Sequence, residues 1–237
     1  MRTLRSALFA TGFLLGVIVI GLLAALILRW FDYPKRSRAI LLWNRWCIWW
    51  ASVSCGVRWH VIGLENIPAE PCVFLSNHES QGETYFLQYL LKPVSTVLKQ
   101  ELLALPFFGL GLKLMDPIAI NRGSPKLAMK SMLNTGAARI KAGRNVLVYP
   151  QGSRIPYPTA LKYARGGAAI AVATGAAVVP IAHNASSFWP NKGFRLCKGT
   201  ITVVIGSAIA SEGRSAKELT TEVQAWTQSQ IEQLHQA

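Results

Sequence analysis

The chain has 237 residues, enough for one domain with a proper core plus an appendage. It carries 25 Lys and Arg against 11 Asp and Glu, a formal net charge of +14, which suits an anionic partner. A hydrophobic content of 51% with 8 Trp turns that partner toward a membrane and away from nucleic acid. Cys47, Cys55, Cys72 and Cys197 form no CxxC pair and no metal spacing with the histidines, so they read as reduced, mostly buried thiols and zinc is not expected.

Ala7 to Leu28 has no charge and is rich in Leu, Ile, Val, Ala and Gly. As a helix it would be about 33 Å long, enough to cross a hydrocarbon core. It reads as a retained anchor, since it is too long for a usual signal core and no small-x-small cleavage site closes it; Arg2 and Arg5 give the basic start that a cleaved signal peptide also has. Gly12-x-x-x-Gly16 matches a small-residue helix-packing pattern, but one so common in apolar helices that it implies no dimer. Arg29, Lys35, Arg36, Arg38 and Arg45 follow the anchor, which places the body of the protein on the cytoplasmic side. Ala39 to Trp50, with four Trp and Arg45, suits an interfacial helix at headgroup depth, with an ordinary core helix as the other reading.

Val57 to Gly63 alternates like a strand and puts His60 on its exposed face. Cys72 to Leu75 is a short buried strand, and Thr84 to Leu91 has helical spacing. Between them lie His78 and Glu83, which on a continuous helix would point about 140° apart. They meet only if the chain turns, and Ser80-Gln81-Gly82 can supply the turn. A histidine held by a carboxylate is an oriented general base; the other reading is a capping histidine beside a solvated glutamate. Val94 to Leu98 is a strand ending at Lys99 and Glu101, followed by an apolar half-helix broken by Pro106 and Gly109. Pro117 to Ile120 ends in Asn121-Arg122-Gly123, after which Ser124-Pro125 caps a helix to about Ala142.

Asn145 to Tyr149 is a buried strand running into Pro150-Gln151-Gly152-Ser153-Arg154, where Gly152 permits a tight turn that lets Arg154 point back into a cleft. Arg165-Gly166-Gly167 opens a small-residue helix; its amides could face an anion, or its small residues could serve close packing. Ala177 to Asn184, with Pro180 inside it, and Thr200 to Ile205 are further strands. Ser215-x-x-Glu218 is a capping box opening a last helix, with Leu219, Val223, Trp226, Ile231 and Leu234 on one face. The class is α/β, with a mixed, largely buried sheet flanked by helices, preceded by a membrane helix and an interfacial helix. Residues 1–56 form the anchor and Trp-rich segment, and 57–237 the catalytic domain. The polar clusters His78/Glu83, Lys99/Glu101, Arg122 and Arg154 fall just past strand ends, where open α/β sheets place ligands. With no Gly-x-Ser-x-Gly elbow, P-loop or dinucleotide fingerprint, direct attack by a substrate hydroxyl remains, with His78 as base and no metal or cofactor.

Four motifs in order then carry a resemblance over roughly residues 70 to 210: Asn77-His78 with Glu83, Lys99-Gln100-Glu101-Leu102 with Pro106, Gly109 and Arg122, Pro150-Gln151-Gly152-Ser153-Arg154, and Val178-Val179-Pro180-Ile181. The chain resembles the glycerolipid acyltransferase family, and most closely its bacterial 1-acyl-sn-glycerol-3-phosphate (lysophosphatidic acid) branch. The resemblance implies acyl transfer from an acyl carrier protein or coenzyme A thioester to the free hydroxyl of lysophosphatidate, giving phosphatidate, at a bacterial inner membrane. It gives His78 the role of base and Glu83 that of fixing its tautomer. Arg122 and Arg154 would hold the acceptor phosphate, with Lys99, Gly152 and Ser153 also at the substrate. Asn77, Glu101, Gln151 and Pro180 would support the motifs. Glu83 stands where the family has Asp, Gln151 where it has Glu, and Ser153 where it has Thr. Two other readings are an acyltransferase for another lysolipid, such as a lyso-ornithine lipid, and a non-catalytic basic membrane-surface protein.

Overall fold

The computed structural model describes residues 2–121, 123–191 and 195–236. Its centre is β2 (Val73–Ser76), buried at every position. β5 (Asn145–Val148) and β6 (Val178–His183) flank it, both parallel to it. β3 (Val94–Lys99) and β4 (Ile118–Ile120) extend the parallel side. On the other side β7 (Gly199–Ile205) runs antiparallel to β6, and β1 (Val57–Ile62) lies parallel to β7. The order is β1-β7-β6-β2-β5-β3-β4 in a sheet of 7 strands, so the expected mixed α/β architecture is present.

Both faces of the sheet are covered, which is why β2 reads as an unbroken apolar run. Val73 and Leu75 point into one core with Val146, Val148, Val178, Ile170, Leu219 and Val223. That core lies under α5 (Pro125–Lys141), α6 (Gly166–Thr174) and α7 (Ala216–Gln236). Phe74 points the other way, with Leu147, Val179 and Ile181, onto α3 (Gly82–Leu90). The capping box at α7 forms as read: the Ser215 amide and hydroxyl donate to Glu218 Oε2, each at 2.8 Å, and the Glu218 amide donates back to the Ser215 hydroxyl at 3.2 Å. Ser124 occupies the N-cap of α5 but makes no side-chain cap bond there, a correction to the expected cap.

The N-terminal segments form a hairpin of α1 (Arg2–Leu26) and α2 (Tyr33–Cys55). Arg5 Nε donates to the carbonyl of Ser54, so the two helices run antiparallel. Gly12 and Gly16 are used within the chain. A Cβ at Gly16 would sit 2.8 Å from Trp43 Nε1, and one at Gly12 would strike Trp50. In the Trp-rich helix, Trp43, Trp46 and Trp50 pack on α1, where those two glycines leave room for indole rings. Only Trp49 is largely exposed, at 55%. The hairpin also packs on the body: Phe9 lies edge-on to Trp189 at 5.1 Å and Phe13 meets Tyr85 at 5.7 Å. Gly21 is in close contact with Phe107, just before α4 (Phe108–Leu114). The outward side of α1 stays apolar, with Leu4, Leu8, Leu14, Leu15, Val19 and Leu22 exposed.

Candidate active site

All five parallel strands end at one edge of the sheet, and the loops after β2 and β5, which are neighbours, meet there. His78 follows β2, and its Nδ1 lies 2.7 Å from Glu83 Oε1. The turn that brings them together is built by the carboxylate itself. Glu83 accepts the amide of Glu79 at 3.1 Å, the amide of Ser80 at 3.0 Å and the hydroxyl of Ser80 at 2.6 Å. Gly82 opens α3 at a point where any Cβ would lie 2.5 Å from the Trp189 ring, so only glycine fits. Glu83 in the first turn of α3 also benefits from the helix dipole.

Burial alone would raise the Glu83 carboxyl, but the hydrogen bond from His78, the charges of His183 and His78 and the Ser80 hydroxyl together outweigh it and hold the pKa at about 2. An ionised Glu83 requires Nδ1–H on His78, which leaves the Nε2 lone pair as acceptor. The imidazole is stacked on Tyr149, with centroids 4.2 Å apart, so the ring is fixed in plane as well as in tautomer. This arrangement can take a proton from a hydroxyl presented at Nε2.

The backbone around His78 is clamped on both sides. Its amide donates to Gln151 Oε1 at 2.6 Å, and its carbonyl accepts the amide of Ile155 at 2.7 Å. Gly152, at φ 72°, makes the turn between these two bonds. Arg154 is thereby carried to the dyad. Its Nε is buried with no hydrogen-bond partner among the described residues, while its carbonyl is held by Asn191 Nδ2 at 3.1 Å. A buried guanidinium donor with nothing to bind is suited to an anionic ligand.

Residues 58–184 match the family described as Acyltransferase. The chain belongs to the acyltransferase family. It is 44% identical over 230 residues to the 1-acyl-sn-glycerol-3-phosphate acyltransferase of Pseudomonas aeruginosa, covering 95% of this chain and 90% of that one. It is 31% identical to the human 1-acyl-sn-glycerol-3-phosphate acyltransferase beta over 153 residues, 64% of this chain and 55% of the human one. The fold matches the crystal structure of the 1-acyl-sn-glycerophosphate (LPA) acyltransferase of Thermotoga maritima with a TM-score of 0.79, over 99% of this chain and 98% of that one, at 21% identity. With its N-terminal apolar helix, this acyltransferase is a membrane-associated protein.

The structure brings His78, Glu83, Asn77, Gln151, Gly152 and Arg154 of the acyltransferase together. Ser153 is exposed at the same turn. Lys99, the last residue of β3, and Glu101 just past it are exposed, and their side chains make no hydrogen bond or ion pair among the described residues. Arg122 lies outside the described residues. Pro180 is buried within β6 opposite Leu75, and its carbonyl accepts the amide of Gly206 at 2.9 Å where the β7 pairing ends, a place that requires no N–H from it. Asn77 is structural: its side chain bonds both the carbonyl and the amide of His183, at 2.9 and 3.1 Å.

Sequence reasoning passed over two buried partners. His183 Nε2 lies 2.9 Å from the Asn77 carbonyl and its Nδ1 faces the Ala185 amide, which makes it a tie between the ends of β2 and β6. Glu79 is a second buried carboxylate beside the first. The only available signal was the crowding of polar residues between an apolar strand and an apolar helix.

Gln151 holds the His78 backbone rather than Arg154, so its neutrality costs no ion pair. Glu at this position keeps the acceptor oxygen, and Gln151→Glu is expected to leave kcat/KM unchanged or raise it. Gln151→Ala strands the buried His78 amide and should cost roughly tenfold in kcat/KM.

Acid stability follows from Glu83. The unfolded carboxyl titrates near 4.5 and the folded one at about 2, so between these values only the unfolded chain binds the proton. The contribution is full above about pH 4.5 and is lost as pH falls toward 2. Its size is about 3 kcal/mol, converting the shift at 1.36 kcal/mol per unit. Urea unfolding from pH 5 to pH 3 should therefore show a steeper loss for the native chain than for Glu83→Gln.

Proposed function

We propose that the chain transfers an acyl group from a thioester to the free hydroxyl of 1-acyl-sn-glycerol 3-phosphate, giving phosphatidate. The observation that carries this reading is the Glu83–His78 pair, with Glu83 buried and His78 Nε2 making no hydrogen bond among the described residues, in the same loop cluster as an Arg154 whose buried Nε has no partner among them. The names of the Pseudomonas and human relatives support the choice of acceptor.

His78 Nε2 takes the proton of the acceptor hydroxyl as its oxygen attacks the thioester carbonyl carbon. Glu83 stabilises the imidazolium that forms. The tetrahedral adduct collapses, the C–S bond breaks, and the proton passes from His78 to the leaving thiolate. No residue is acylated and no cofactor is used. Arg154, joined by Arg122 and more weakly by Lys99, holds the phosphate, with the Gly152–Ser153 turn beside it. The donor is an acyl carrier protein or coenzyme A thioester, and the +14 charge suits either acidic partner and excludes no anionic lipid.

The hairpin of residues 1–56 seats the enzyme in the bacterial inner membrane with residues 57–237 on the cytoplasmic side, as the basic residues after α1 favour. The test is mass spectrometry of products from purified protein offered several lysolipids with each donor. Phosphatidate formed from lysophosphatidate far faster than any product from a lyso-ornithine lipid supports the reading. Preference for a phosphate-free acceptor overturns it.

A further inference from the structure

The His78 loop carries a carboxylate that the proposed reaction does not use. Glu79 is 1% exposed. Its Oε1 accepts Asn77 Nδ2 at 3.1 Å, and its Oε2 accepts the amide and hydroxyl of Ser186 at 3.1 and 2.8 Å. Among the described residues one basic side chain pairs with it: His235, on the last turn of α7, places Nε2 3.8 Å from Glu79 Oε1. That nitrogen is buried and has no hydrogen-bond partner among the described residues. The His235 ring lies flat on Tyr157, with centroids 4.3 Å apart and planes 9° from parallel. Its Nδ1 is 3.3 Å from the Ser187 hydroxyl, and Asn184 Nδ2 holds the adjacent Leu234 carbonyl at 3.2 Å.

Tyr157 belongs to the segment that follows Arg154. From 151 to 165 this segment has no helix or strand. It is tied to the body by the Ile155 amide at its start and by the Ala164 amide on Pro150 at its end, 2.9 Å. A stretch without a ladder of backbone bonds must be ordered by its side chains against its own conformational entropy. Between the two ties, the stack of Tyr157 on His235 is such a contact.

We propose that His235 is a positioning residue: wedged between Glu79 and Tyr157, it fixes the Arg154 segment against the His78 loop and so sets the affinity for the anionic headgroup of the acceptor. This rests on the reading of Arg154 as the phosphate ligand. The last turn of α7 is not the anchor of that helix, whose fully buried residues Leu219, Val223 and Thr227 all lie before it. Loss of His235 therefore leaves the core intact and acts through the segment.

The test uses the full chain in detergent micelles, with His235→Ala, Tyr157→Ala, Tyr157→Phe and the double alanine variant. Kinetics are measured with lysophosphatidate and with a phosphate-free monoacylglycerol, and amide exchange is followed over residues 155–162. Each alanine variant is expected to raise KM for lysophosphatidate roughly fivefold or more with kcat within about twofold. The double variant should be no worse than the weaker single one, because both remove one contact. Exchange over 155–162 should quicken in both, and Tyr157→Phe, which keeps the stack, should match wild type. Unchanged exchange, additive KM effects, or a fall in kcat at constant KM would overturn the proposal. If His235→Ala fails to fold, the half-exposed Tyr157 still supplies both readouts. Arg154→Ala is the control: if it leaves KM for lysophosphatidate unchanged, the phosphate reading fails, and the exchange rates alone then decide whether His235 holds the segment.

Discussion

Alanine in place of His78 is expected to lower turnover by about 10²–10⁴-fold while the chain still folds and still binds membranes. His78 is the base of the proposed chemistry, and the sequence has no Gly-x-Ser-x-Gly elbow to take over by a covalent route. Folding survives because the Glu83 carboxylate keeps the amides of Glu79 and Ser80 and the Ser80 hydroxyl when the imidazole is gone. A drop in unfolding free energy of about 1–3 kcal/mol is expected from the lost hydrogen bond to a buried charge. The check is a rate measured beside a thermal or urea melt of the same preparation. A variant that keeps more than a tenth of the rate would show that His78 is not the base.

The second large effect is expected at Arg154. Its Nε is buried with no hydrogen-bond partner among the described residues, and its charge acts on Tyr149, the ring stacked on His78, so a guanidinium donor is free for an anionic ligand. A phosphomonoester is nearly dianionic at neutral pH and accepts two parallel N–H bonds from a guanidinium. Arg154→Ala should cut kcat/KM for lysophosphatidate by about 10²-fold, near 3 kcal/mol for a lost charged partner. Arg154→Lys should recover only part, since a point charge cannot reproduce the planar fork. With a phosphate-free acceptor the alanine penalty should shrink to a few-fold. An equal penalty for both acceptors would make Arg154 a prop for the His78 loop rather than a ligand for phosphate.

The parallel half of the fold was legible because buried strands such as Cys72–Leu75 and Asn145–Tyr149 are short apolar runs closed by polar turns, with helical spacing between them. The reversal of β7 was not, because nothing in Thr200–Ile205 records which neighbour it will join or in which direction. Within the site, the His78–Glu83 pair was readable from five residues of local sequence plus a glycine. Glu79 and the contact made by Gln151 were not: each acts through a partner from a distant segment, Glu79 with Ser186 and Gln151 with the His78 amide. The seats of the Trp rings were hidden for a related reason: Gly12 and Gly16 lie well before Trp43 and Trp50 in the chain, and only the packing of α1 on α2 brings them together.

Removing α1 is not the way to a soluble form of this enzyme. Phe9 and Phe13 are walls of the same cluster that holds Tyr85, Trp189 and Ile201, and Gly12 and Gly16 are seats for indole rings. A cut after Leu26 would bare that aromatic surface and trade one sticky face for another. Re-surfacing is the consistent route: polar replacements at Leu4, Leu8, Leu15, Val19 and Leu22, which face outward, with Phe9, Gly12, Gly16, Ile20 and Ala24 left untouched. Such a variant would keep the helix as a strut while erasing its lipid-facing side, and would separate what α1 does for shape from what it does for address.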